Sequence, residues 1–154
     1  MSSGIPDIVA GCYPCDRQAS PSRAPRDDVV STDHWRAAHA FNSTLPGWLV
    51  LLPTRHLTSF AELSPEAADE LGGLVRRLSI ALQEVTGCVK TYQMQFSEAE
   101  GFSHLHLHLV PRMPDHPAEA RGPRVFTYLT EDEKLWLPEG QRDDLALAIG
   151  AALH

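Results

Sequence analysis

Cysteine is scarce, with three residues in 154. Two of them, Cys12 and Cys15, share a C-x-x-C near the N-terminus, and the third, Cys88, lies far away. The even, spaced set of a secreted disulfide scaffold is missing, so the pair needs another explanation. No run approaches the roughly 18 to 20 uncharged apolar residues of a membrane span. The first 30 residues lack the basic start and apolar block of a signal peptide. This reading places the chain in the cytoplasm with no membrane partner. Basic residues are also few: 13 Lys and Arg stand against 20 Asp and Glu, for a formal charge of −7. That balance argues against long nucleic acid as a partner, because such affinity comes from neutralising many phosphates. The length leaves no room for a second domain, while 43% hydrophobic residues supply one core.

Residues 1–27 are rich in Ser, Pro, Gly and Arg and have no apolar period beyond Ile8-Val9-Ala10, which reads as an irregular arm. Val29 to Thr32 and Trp35 to Phe41 read as short strands. Trp48-Leu49-Val50-Leu51-Leu52 is a continuous apolar run of strand length, stopped by Pro53, as expected of a sheet covered on both faces. Ser64-Pro65 offers an N-cap and a proline at the first helical position. Leu71, Leu74, Val75, Leu78, Leu82 and Val85 then recur at helical steps until Gly87. Lys90 to Phe96 alternates, with Tyr92, Met94 and Phe96 on one face and Gln93 and Gln95 on the other. After the proline-rich loop 111–123, Val125 to Leu129 reads as a strand and 143–153 as a helix. There is no internal repeat.

His104-Leu105-His106-Leu107-His108-Leu109-Val110 carries the chemistry. Three of the chain's eight histidines fall in five positions, and strand alternation sends all three imidazoles to one face, about 6.6 to 7 Å apart, with the leucines in the core. A solvent-facing strand that merely happens to use histidine is a poor account of that concentration. Two uses remain open at this point. Neutral imidazoles can bind a metal, or one can be a nucleophile while its neighbours orient it and offset phosphate charge. The C-x-x-C admits a zinc knuckle, a redox dithiol or two unrelated thiols. The redox reading needs a pair that opens a helix in a βαβ unit, and residues 16–21 give no convincing helix, so zinc is favoured. Two further ligands are then required, and His56 and His104 are available; His34 and His39 are rivals that read as ordinary sheet positions. Cys88 reads as a small buried hydrophobe.

The row His104 to Val110 resembles the mark of the histidine triad (HIT) family of nucleotide hydrolases and transferases: three histidines alternating with apolar residues and closed by two more. Leu45 to His56, with its Pro46-Gly47 turn and its Pro53-Thr54-Arg55-His56 ending, is similar to the family's preceding strand. The likeness covers roughly residues 29–112. It implies an α+β, HIT-like fold: a mostly antiparallel sheet of about five strands, one main helix and a C-terminal helical extension. The chain would be a single HIT-like domain made of an arm at 1–27, a core at 28–112 and an extension at 113–154. The resemblance implies that His106 attacks an α-phosphorus to give a nucleotidyl-histidine, that His108 hydrogen-bonds the phosphate, and that the substrate is an adenine nucleotide such as a dinucleoside polyphosphate or a phosphoramidate. Ser103, Gln95 and Asn42 are candidate donors to the phosphate or ribose, with Gln93 the rival to Gln95. Glu100-Gly101-Phe102-Ser103 departs from the usual glycine-glutamine pair, and Trp48 stands where many relatives carry histidine, a position best read as core filling. In the zinc-bearing branch, a cysteine pair joins two histidines that correspond here to His56 and His104. The resemblance therefore implies a structural zinc on Cys12, Cys15, His56 and His104, and a homodimer paired edge to edge. The alternatives are a nucleotide sensor without turnover and a zinc hydrolase that uses all three histidines as ligands.

Overall fold

The computed structural model describes residues 8–154; the part of the arm reading that covers 1–7 lies outside them. Five strands, β1 (Val30–Ser31), β2 (Trp35–His39), β3 (Leu49–Pro53), β4 (Lys90–Gln95) and β5 (Leu107–Arg112), form one sheet in the order β1-β2-β3-β5-β4. Every pairing is antiparallel. Three α-helices accompany it among the described residues: α1 (Tyr13–Ala19), α2 (Pro65–Thr86) and α3 (Glu139–Ala151). The architecture is α+β, with the expected five-stranded sheet and main helix.

The long helix begins and ends where the sequence chemistry places it. The Ser64 hydroxyl accepts the N–H of Ala67 at 3.1 Å, Pro65 opens the first turn, and Gly87 ends α2 at a φ of 74° that L side chains rarely adopt. Its buried stripe, Leu71, Leu74, Leu78 and Leu82, packs with Trp35, Ala37, Leu49, Leu51 and Leu109 from one face of the sheet and Ile149 from α3. The opposite face carries a second cluster of Ala40, Leu45, Trp48, Val110 and Val125. Both faces of β3 are thus covered, which explains its unbroken apolar run. Gly47 makes the turn before β3 at φ 89°, with its N–H donated to Nε2 of His39 at 2.9 Å. Among the described residues no helix is long and apolar enough to cross a membrane.

Several expectations are corrected. The arm holds a helix, α1, whose N-cap is Cys12; its two turns are too short to show an apolar period. The C-x-x-C does open a helix, so that ground against a redox dithiol fails, although among the described residues every strand pairing is antiparallel and no βαβ unit surrounds it. Val125 to Leu129 is not a strand: Gly122–Tyr128 is a 3₁₀ helix, and only Leu129 pairs, in a single bridge to Ser43. Pro53 lies inside β3 rather than beyond it, and β5 begins only at Leu107. The C-terminal helix starts earlier than read, at Glu139, with Ala146 and Ile149 buried while Leu147 faces solvent.

Candidate functional site

Register decides which side chains share the site. Val50 pairs with both Ala38 and His108, Arg36 with Leu52, and Met94 with His108. Directly opposed residues point to the same face of a sheet. Arg36, Ala38, Val50, Leu52, Met94 and His108 therefore lie on the face away from α2. Over this face opens a cavity of about 290 Å³ whose lining includes Tyr13, Arg17, Arg36, Asn42, Ser97, His106, His108 and Phe126. The arm forms one wall and the 3₁₀ segment after β5 another.

His106 precedes β5 and is half-buried. Its Nδ1–H donates to the backbone carbonyl of His104 at 2.8 Å, which leaves Nε2 with a free lone pair. Its own backbone N–H donates to the hydroxyl of Ser97 at 3.0 Å. Ser97 is buried and is the one non-glycine residue with positive φ among those described, at 57°. The His106 and His108 rings meet edge to face with centroids 5.0 Å apart. On its other side His108 is bounded by Phe126, at 5.2 Å and perpendicular, and by Trp48, whose indole N–H donates to its Nδ1 at 3.1 Å. Burial, helped by the neighbouring His106, lowers His108 to about 4, so this imidazole is neutral at pH 7.

His104 has a different environment. It is buried, and its ring meets that of His56 at 5.0 Å, nearly perpendicular. Cys12, Cys15, His56 and His104 bring four ligand atoms within 4.8 Å of one another. Cys12 Sγ and Cys15 Sγ each lie 3.6 Å from His104 Nδ1, and Cys15 Sγ lies 3.4 Å from His56 Nδ1. A tetrahedral zinc, with Zn–S of about 2.3 Å and Zn–N of about 2.05 Å, sets sulfur–nitrogen edges of about 3.6 Å. The cluster fits that edge length. Nε2–H of His104 donates to the Pro53 carbonyl at 3.1 Å, which fixes the tautomer that leaves Nδ1 for a metal. In the bare protein, burial pushes the Cys12 thiol up to about 11 and the His104 imidazole down to about 4. Buried thiols that resist ionisation become thiolates once a dication supplies the opposing charge. His39 is no rival ligand, since both ring nitrogens are engaged, with Ala40 and Gly47. His34 stands outside the cluster too. Cys88 is buried in the core, as read.

The remaining sequence candidates divide. Asn42 lines the cavity. Gln95 does not face it: it pairs with Leu107, on the face opposite His108, and reaches the site only through its side-chain N–H donated to Ser97 at 3.0 Å. Gln93, paired with Leu109, lies on that same far face. The expectation failed because the site face is itself apolar-covered, so Tyr92 and Met94, not the glutamines, share it with the histidines. Ser103 is exposed and outside the cavity lining, in the irregular segment that precedes β5. Trp48 is fully buried, as core filling requires, and also hydrogen-bonds a histidine. Sequence reasoning missed Ser97, Arg36 and Phe126; a lone arginine in the run Trp35 to Phe41 is the signal that could have marked Arg36, and no local pattern marks the other two.

Comparison with known proteins places this geometry. A family model described as HIT domain matches residues 22–115. No curated protein matches the sequence. Among solved structures, a zinc-bound histidine triad family protein from Mycobacterium smegmatis is 17% identical with a TM-score of 0.63, covering 91% of this chain and 93% of its own. A Hit-like protein involved in cell-cycle regulation from Bartonella henselae is 22% identical with a TM-score of 0.64, covering 82% and 85%. A hypothetical histidine triad nucleotide-binding protein from Sulfolobus tokodaii is 14% identical with a TM-score of 0.65, covering 94% and 91%. At these identities the likeness establishes the fold, and the Cys₂His₂ cluster fits the zinc-bearing branch.

Proposed function

The chain belongs to the HIT family, and from that premise we propose that it is a nucleotide hydrolase or nucleotidyltransferase acting at an α-phosphate through a covalent intermediate on His106. The observation that carries the reading is the hydrogen bond from His106 Nδ1 to the His104 carbonyl, which leaves Nε2 free in a ring that lines the cavity. Nε2 forms a bond to the α-phosphorus as the bond to the leaving group breaks. An acceptor then adds to phosphorus as the P–N bond breaks, regenerating the imidazole. With water as acceptor the product is a nucleoside monophosphate. Holding the nucleophile by both its backbone N–H and its ring N–H limits the freedom lost on reaching attack geometry. His108 is the partner for the phosphate oxygens, and Asn42 for the ribose.

Cys12, Cys15, His56 and His104 would hold a structural zinc that closes a tetrahedron with no open position for substrate. His104 is thereby withdrawn from the row, which disfavours a catalytic metal on all three histidines. Tyr13, Pro14, Arg17 and Asp27 of the arm and Phe126 and Leu129 of the extension serve the core as cavity walls within one domain. β4 is a sheet edge, and pairing of two such edges would make a homodimer with a continuous sheet. Three cysteines that form no disulfide suit a reducing compartment such as the cytoplasm. The substrate is an adenine nucleotide, either a dinucleoside polyphosphate or a phosphoramidate. The test is turnover of diadenosine tetraphosphate and adenosine 5′-phosphoramidate by wild type and His106→Asn, with nucleotide binding measured by calorimetry in parallel. Turnover lost with binding retained supports the reading. Binding without turnover in the wild type would instead make the protein a sensor.

A further inference from the structure

Trp48 immediately precedes β3, is fully buried, and packs with Val110 and Val125 on the site face. Its ring stands edge-on to His108 at 5.6 Å. Bulk alone would fill that space, but the indole adds a directed donor: its Nε1 lies 3.1 Å from Nδ1 of His108. An indole nitrogen can only donate, so Nδ1 of His108 must accept and carries no proton. A neutral imidazole then has its single proton on Nε2. With Nδ1 committed to Trp48, Nε2–H is the polar group that this ring, which lines the cavity, has left to offer. A doubly protonated His108 would set Nδ1–H against the indole N–H, so the same contact opposes the imidazolium form. Burial acts in the same direction.

We propose that Trp48 is a positioning residue: its indole N–H locks His108 as the Nε2–H tautomer, which donates to a non-bridging oxygen of the phosphate attacked by His106. The phosphate half of this statement rests on the nucleotidyl-transfer reading above, whereas the tautomer half rests on the contact alone. A donor fixed before substrate arrives needs no reorganisation when charge develops on the transferring group. The perpendicular Phe126 at 5.2 Å restrains the ring from another side.

The experiment is ¹⁵N NMR of histidine-labelled full-length protein at pH 7, with the His108 signals assigned by their loss in His108→Gln. The expected wild-type pattern is a pyridine-like Nδ1 and a pyrrole-like Nε2. Trp48→Phe keeps most of the bulk and removes the donor. In that variant the His108 pattern changes and kcat on adenosine 5′-phosphoramidate falls about tenfold, the loss of one buried hydrogen bond, at nearly unchanged KM. A protonated Nδ1 in the wild type overturns the proposal and needs no variant, so a Trp48→Phe chain that fails to fold does not shield it. Unchanged ¹⁵N shifts and unchanged kcat in a folded Trp48→Phe also overturn it. The expected tautomer in a wild-type protein that turns over no nucleotide overturns the phosphate half and the transfer reading, and leaves the tautomer lock standing.

Discussion

Replacing Cys15 by serine removes one sulfur from a cluster whose ligand atoms lie within 4.8 Å of one another, and the expected result is loss of a bound zinc together with loosening of the arm. Without metal, α1 keeps the Arg36 guanidinium, which donates to the Gln18 side chain at 2.8 Å and to the Pro14 carbonyl at 3.3 Å, and the contact of Tyr13 with Phe41. A ligand that binds only the folded chain stabilises it by about 2.7 kcal/mol when its free concentration is a hundred times its Kd. At about 2 to 4 °C per kcal/mol for a chain of this length, removal of zinc lowers Tm by about 5 to 11 °C. The assay is elemental analysis of purified protein followed by thermal melts before and after chelation. Wild type should carry one zinc per chain, Cys15→Ser and Cys12→Ser little, and His106→Asn as much as wild type. Zinc retained in the cysteine variants but lost in His106→Asn would refute the reasoning and assign the metal to the histidine row.

Three further outcomes are expected. Ser97→Ala leaves the backbone N–H of His106 without its 3.0 Å acceptor, so denaturant titration should show a loss of about 1 to 3 kcal/mol and kcat should fall; unchanged values in both would remove Ser97 from the site. Gly47→Ala forces a side chain into φ 89° and places Cβ 3.0 Å from Thr86 Cγ2, which costs about 1 to 3 kcal/mol and is read as a lower Tm. His39 resists protonation because burial lowers it from 6.5 to about 4, and a proton on Nε2 would confront the Gly47 N–H. The unfolded chain binds that proton near pH 6.5, so stability is full above this value and falls as pH drops from 6.5 toward 4, by roughly 3 kcal/mol from this group. Urea unfolding of wild type and His39→Gln across pH 4 to 8 checks it: the variant should lose about one proton's worth of the slope.

Periodicity revealed the parts of the fold that a single strong period governs. The Ser64-Pro65 start, the leucine stripe and Gly87 mark α2 almost to the residue, because capping and burial are both local signals. The continuous apolar run of β3 announced a strand covered on two faces. The histidine alternation and the C-x-x-C were legible because rare residue types were concentrated at chemically meaningful spacings. Other features were hidden for definite reasons. A two-turn helix such as α1 is too short to show a period, and the 3₁₀ segment Gly122–Tyr128 is β-branched and aromatic enough to look like a strand. Alternation separates Gln95 from Met94 correctly, but it does not tell which of the two faces holds the site; the sheet register does, by pairing Met94 with His108. Ser97 was invisible, since its role depends on a left-handed backbone and on a partner nine residues away.

The central claim is that His106 Nε2 is the nucleophile, and trapping the adduct tests it most directly. Wild type mixed with adenosine 5′-phosphoramidate or diadenosine tetraphosphate is quenched at alkaline pH, where a phosphoramidate bond to imidazole survives, then digested and sequenced by mass spectrometry. The account predicts one adenylyl group on the peptide spanning residues 104–112, located on His106 and absent from His106→Asn. Turnover with no adduct, or an adduct on His108 instead, would contradict it.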